Sequence, residues 1–185
     1  MKVGAQVRAA KAKVTDRRSV LIEQKVFLAA YTMRKLAEGG KLSSSFEELS
    51  IQCLVCAVAD GQLVTSLNNH RINKLYDLAT PSRCTTKIQD LLNLIVHSLV
   101  FGELLREDDT IESFFVTSDR KWSNLWFVNM DNFTSTMRHV AQDYPSSEVR
   151  AFDPKKKNWI IWRGDGEPPT HIQRKIEKAM EAWHK

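Results

Sequence analysis

Two stretches decide how this chain folds: residues 114–128, FFVTSDRKWSNLWFV, and residues 148–162, EVRAFDPKKKNWIIW. In each, a run rich in β-branched and aromatic residues meets a polar turn and then a second such run, the pattern of an antiparallel hairpin. Phe114 to Thr117 and Leu125 to Val128 flank the first turn. Glu148 to Phe152 and Trp159 to Trp162 flank the second, and each hairpin carries two tryptophans. Behind each hairpin the period becomes helical. A helix from about Asn132 to Asp143 is expected, with Asp131 as its cap and Pro145 beyond its end. From Thr170 onward, Ile172, Ile176, Ala179, Met180 and Trp183 define one apolar helical face that must pack on something, the sheet being the available partner. Residues 111–185 therefore read as two ββα units, a four-stranded antiparallel sheet with two helices packed on it.

Upstream the reading is helical. Ile22, Val26, Ala29, Met33 and Leu36 recur at steps of three and four, and Gly39 and Gly40 end that helix. Ser45 and Glu48 have capping-box spacing ahead of a second helix, from about Phe46 to Ala59. A third is expected from about Leu67 to Leu78, before Pro81. Thr86 and Gln89 repeat the capping-box spacing ahead of a fourth, whose stripe Ile88, Leu91, Leu92, Ile95 and Leu99 continues through Leu105. The fold class expected is α+β: a basic arm over residues 1–14, a helical part of about four helices over 15–108, and the α+β part over 111–185. The acidic stretch Glu107, Asp108, Asp109 marks the boundary.

The chain has 185 residues, 43% apolar and 26% charged, ordinary for a single globular domain and long enough to bury a core without disulfide or metal staples. Its charge is unevenly placed. Lys2, Arg8, Lys11, Lys13, Arg17 and Arg18 face Asp16 alone, which accounts for the whole net charge of +5. The body is near neutral, so the basic character describes mainly the arm. Three cysteines, an odd number, fit a reducing compartment. With no apolar run of membrane-spanning length and no signal-type core near the N-terminus, the expectation is a cytoplasmic protein with no membrane partner.

Candidate chemistry is sparse. Cys53 and Cys56 have C-x-x-C spacing, with Cys84 and His70 as conceivable additional ligands, yet no second close pair completes a structural zinc site. Buried small hydrophobes are the expected role of the two cysteines. His70, His97, His139, His171 and His184 are scattered, and neither a nucleophile elbow nor a glycine-rich phosphate loop occurs. Asp119, Asp131, Glu148, Asp153 and Asp165 sit near strand ends, where they would hold a metal for a nuclease, or simply cap turns. Asn68, Asn69, His70, Arg71, Asn73 and Lys74 are the side chains a helix-turn-helix reading would expose, although the connection Asp60 to Ser66 is long for that motif.

The remaining signal joins basic and aromatic residues: Arg120 and Lys121 in the first hairpin turn, Lys155, Lys156 and Lys157 in the second, with Trp122, Trp126, Trp159 and Trp162 close by. In Trp159-Ile160-Ile161-Trp162 both faces are apolar, so at least one tryptophan per hairpin belongs to a core. The leading expectation is a non-enzymatic nucleic-acid-binding or regulatory protein that engages DNA or RNA. Its binding residues are Arg8, Lys11, Lys13, Arg17 and Arg18 of the arm, Arg120 and Lys121, and Lys155, Lys156, Lys157 and Trp159 of the second hairpin. No cofactor, metal ligand or catalytic residue is expected. The alternative is a protein-interaction or inhibitor module, including a homo-oligomer, that docks through an apolar face of the first helix or the sheet. A metal-dependent nuclease is third.

Overall fold

The computed structural model describes residues 16–183. In chain order these form α1 (Asp16–Glu38), a 3-10 turn (Ser44–Glu48), β1 (Ser50–Ala57), α2 (Ile72–Leu75), β2 (Ser82–Lys87), α3 (Ile88–Val96), β3 (Ser98–Leu105), β4 (Ile111–Ser118), β5 (Asn124–Asn129), α4 (Met130–Gln142), β6 (Ser147–Asp153), β7 (Asn158–Gly164) and α5 (Thr170–Trp183). The class is α+β. Among these elements no helix is long and apolar enough to cross a membrane.

Both hairpins form where the sequence places them, but they do not share a sheet. β4 and β5 lie inside a five-stranded sheet of order β2-β1-β5-β4-β3, while β6 and β7 make a separate two-stranded one. The expected four-stranded sheet is thus corrected, and the reason is edge occupancy. β1 takes the free edge of β5 and β3 takes that of β4, all antiparallel, so neither strand has backbone groups left for the second hairpin.

The helical N-terminal part is corrected as well, because two of its predicted helical segments supply strands and a third is helical over a single turn. The capping-box serine of the second predicted helix, Ser45, lies inside a single 3-10 turn whose N-cap is Ser43. The run Ile51 to Cys56 then becomes a strand flanked by β2 and β5. A continuous apolar run of this length suits a strand buried on both faces as well as a helix, and Ile51 and Val55 favour the strand. In the third, only Ile72–Leu75 is helical. Asn68 there ties its side chain to the backbone, accepting from Thr65 N at 2.8 Å and donating to Leu63 O at 2.7 Å, which competes with helix formation. The fourth stops at Val96, and the chain turns at His97 into β3. The capping residue of α4 is Asn129, whose side chain accepts from Asn132 N, rather than Asp131.

The strand alternation sorts the core into two layers. On one side of the sheet Ile51, Cys53, Phe114, Val116 and Val128 meet Val26, Ala30 and Met33 of α1, the inward residues of α3, and Phe133 and Val140 of α4. Phe114 anchors this layer edge-to-face on Phe133, ring centroids 5.2 Å apart. On the other side Cys56, Val100, Leu104, Phe115, Leu125 and Phe127 are covered by Val64, Leu75, Tyr76 and Leu78 from the segment between β1 and β2. Tyr76 pairs with Val58 through an isolated bridge and donates its hydroxyl to Trp122 O at 2.9 Å.

α5 packs on the β6–β7 hairpin. Val149, Ala151, Ile160 and Trp162 share one face of this hairpin, Phe152, Trp159 and Ile161 the other. Ala151 and Trp162 are buried and so is Ala179 of α5, so the helix covers the first face. The 3-10 turn joins this unit to the larger layer. Arg163 N donates to Ser44 Oγ at 2.9 Å, and the guanidinium of Arg163 lies over Gly40.

Candidate nucleic-acid interface

The β6–β7 turn is built by one carboxylate. Asp153 Oδ1 accepts the backbone N–H groups of Lys155 and Lys156 at 3.0 and 3.2 Å, as aspartate does at turns. Lys157 closes the turn with φ 51, left-handed backbone that glycine or asparagine adopts at lower cost. Three lysines are therefore presented from a fixed scaffold.

Facing that turn is α5. Ile172, Lys175, Lys178 and Ala182 follow one another at helical spacing, so they form a stripe along the helix. Between stripe and hairpin runs a groove of about 690 Å3, lined among others by Lys155, Lys156, Trp159, Lys175 and Lys178, with Asp153 and Glu181 as its acids. No ion pair among the described residues engages any of the four lysines. With four lysines against these two carboxylates, the groove is positive.

The tryptophans divide sharply. Trp126 packs against the helix-covered layer and Trp122 against the opposite one, while Trp162 is 8% exposed and Trp159 57%. Trp159 meets Phe152 edge-on, centroids 5.4 Å apart at 62°, which fixes the ring without covering it. Of the two tryptophans in each hairpin, only Trp159 stands open.

The other expected basic residues lie elsewhere. Arg120 and Lys121 line a smaller groove of about 410 Å3 at the β4–β5 turn, shared with Arg34 and His97 but also with Asp90 and Asp119. Arg17 is exposed on the first turn of α1, and Arg18 donates to the backbone carbonyl of Asp109 in the β3–β4 turn. These two turns lie at opposite ends of β4, roughly 25 Å apart at about 3.3 Å per residue. Lys155 and Lys156 line one groove with Trp159, Lys175 and Lys178, whereas Arg120 and Lys121 line another and Arg18 is tied to the β3–β4 turn. Arg8, Lys11 and Lys13 lie outside the described residues.

Lys175 and Lys178 escaped the sequence reading. Their spacing is visible in the sequence, but only the packing of α5 on the hairpin turns that stripe toward Lys155 and Lys156.

The rival chemistries find little geometry. Cys53 and Cys56 lie on β1, where a spacing of three sends side chains to opposite faces, and they belong to different core layers. Burial pushes their thiols up to about 12 and about 11, fitting inert core residues. Four of the five carboxylates are engaged locally, Asp153 by its own turn. Asp131 pairs with Arg106 at 2.9 Å, Asp165 accepts from Ser146, and Glu148 sits between Arg150 and Arg163, which hold its carboxyl below the usual carboxylate range. Among the described residues no group of three or more His, Cys, Asp or Glu side chains is placed to hold a metal ion. Comparison with models of protein families, with curated proteins and with solved structures gave no significant match.

Proposed function

We propose that the protein is a non-enzymatic nucleic-acid-binding or regulatory protein whose fixed contact surface is the lysine-lined groove between β6–β7 and α5. The observation that carries this reading is the convergence of Lys155, Lys156, Lys175 and Lys178, without ion-pair partners among the described residues, beside the exposed Trp159. Phosphate neutralisation by lysine releases counterions and supplies affinity without reading sequence. Lys157 supports the same reading, because a lysine held at positive φ costs stability that glycine would recover. In this mechanism Arg8, Lys11, Lys13, Arg17 and Arg18 add a second set of phosphate contacts.

Salt dependence is the test. Four phosphate contacts give a slope of log K against log salt of about −2.8 on a single strand, at roughly 0.7 per contact. Lys175→Ala with Lys178→Ala should roughly halve the groove's share of the slope. If Lys155→Glu with Lys156→Glu binds oligonucleotides unchanged at low salt, the reading is wrong.

A second reading, a protein-interaction module including self-association, is favoured by α1. Its outer side, opposite Val26, Ala30 and Met33, exposes Val20, Leu21, Leu28 and Tyr31 at 46–68%. Light scattering of the full chain across a concentration series tests self-association. A dimer that Leu28→Glu converts to monomer supports it, and a monomer throughout refutes it.

A further inference from the structure

We infer that the groove takes a single strand, DNA or RNA, with an unpaired base reaching over the open β7 edge to stack on Trp159; this rests on the nucleic-acid reading above and specifies its ligand class. Three features of the hairpin point there independently of its charge.

The first is the aromatic platform. Trp159 is 57% exposed and Ile161 40%, both on the face of β7 turned away from α5 and both bordering the groove at the strand's open edge. A duplex keeps its bases stacked on one another and offers no free face to such a ring, whereas a single strand does. Phe152 against the ring edge fixes the platform, so stacking costs little side-chain ordering.

The second is the free edge of β7. Trp159 N donates to the side chain of Asn158 at 2.8 Å and Arg163 N to Ser44 Oγ at 2.9 Å, so the N–H groups of residues 159 and 163 point away from β6. Antiparallel alternation then sends the N–H of Ile161 the same way, where no protein group among the described residues meets it. It stands between two satisfied neighbours as a donor for a base edge or a phosphate.

The third is size. At about 690 Å3 the groove lies in the range of about 300 to 1,000 Å3 that holds a small-molecule-sized ligand. That suits a short stretch of single strand with its phosphates along Lys155, Lys156, Lys175 and Lys178.

The experiment is fluorescence anisotropy of the full chain with a labelled oligo-dT strand, a duplex of the same length and polyglutamate as competitor, at one fixed salt concentration. Wild type should bind the strand more tightly than the duplex. Trp159→Ala should weaken strand binding by roughly five- to hundredfold and leave duplex binding unchanged, while Trp159→Phe keeps most of the affinity. Indole quenching on strand binding should vanish in both variants. The inference is overturned if Trp159→Ala binds the strand like wild type, if the duplex binds as tightly as the strand, or if polyglutamate competes equally well. Lys155→Glu with Lys156→Glu separates the two levels of the argument: sensitivity to it combined with indifference to Trp159→Ala sinks stacking alone, and indifference to both sinks the nucleic-acid reading as well.

Discussion

Substituting Gly102 by alanine has opposite expected signs in a helix and in the strand that the structure shows. In a helix interior Gly→Ala is stabilising by about 1 kcal/mol. In β3, Gly102 sits opposite Phe115 of β4, and a Cβ there would come within 2.3 Å of Phe115 Cζ and 2.8 Å of Cε2. Neither atom can stay. The ring is 7% exposed and leans on Phe127, centroids 5.6 Å apart, so it cannot swing into solvent without uncovering that layer. Overpacking of this kind costs roughly 1–3 kcal/mol. For a chain of this size each kcal/mol lowers the melting temperature by about 2–4 °C, so Gly102→Ala should melt roughly 2–12 °C below wild type in a circular-dichroism scan. Phe115→Leu removes the ring tip, and the double variant should lie closer to the Phe115→Leu single variant than additivity allows. A Gly102→Ala protein as stable as wild type, or more stable, would refute both the strand assignment and the packing argument.

Burial and capping set three further outcomes. Native thiol labelling at mildly alkaline pH should modify the half-buried Cys84 first, while Cys53 and Cys56, with thiols at about 12 and about 11, react only as the protein unfolds; two rapidly labelled thiols would contradict their burial. Burial raises the Tyr76 hydroxyl from 10.0 to about 12, so its contribution to stability is intact below pH 10 and is lost as pH climbs toward 12. Tyr76→Phe should cost about 1 kcal/mol at neutral pH by stranding the Trp122 carbonyl and should flatten that alkaline loss; an unchanged alkaline profile would exclude Tyr76 as its source. Asn129→Ala should lower stability by about 1 kcal/mol through loss of the α4 cap, whereas Asp131→Asn, which disturbs only an exposed ion pair, should cost less; the reverse order in urea melts would restore Asp131 as the cap.

Local signals proved reliable where a polar turn or a helical period marks an element. The hairpins of residues 114–128 and 148–162 were legible because two β-branched and aromatic runs flank a polar turn in each, and the helix starting at Thr170 and the inward stripe of α1 because helical period separates apolar from polar positions along them. The segments 51–57 and 98–105 carry no such contrast. β1 is flanked on both sides and apolar on both faces, and β3 follows α3 after a single residue at His97, so neither periodicity nor a breaker marks the change.

The candidate interface divides in the same way. Sequence alone determined that lysines crowd the second hairpin turn and that tryptophans flank it, because turn chemistry and strand alternation are local. Which tryptophan stays open, and that Lys175 and Lys178 complete the groove while Arg120 and Lys121 lie apart, was decided only by tertiary packing. The edges of β4 and β5 are filled by strands from the N-terminal half, so the second hairpin stands alone under α5, and that docking brings lysines some twenty residues apart onto one surface.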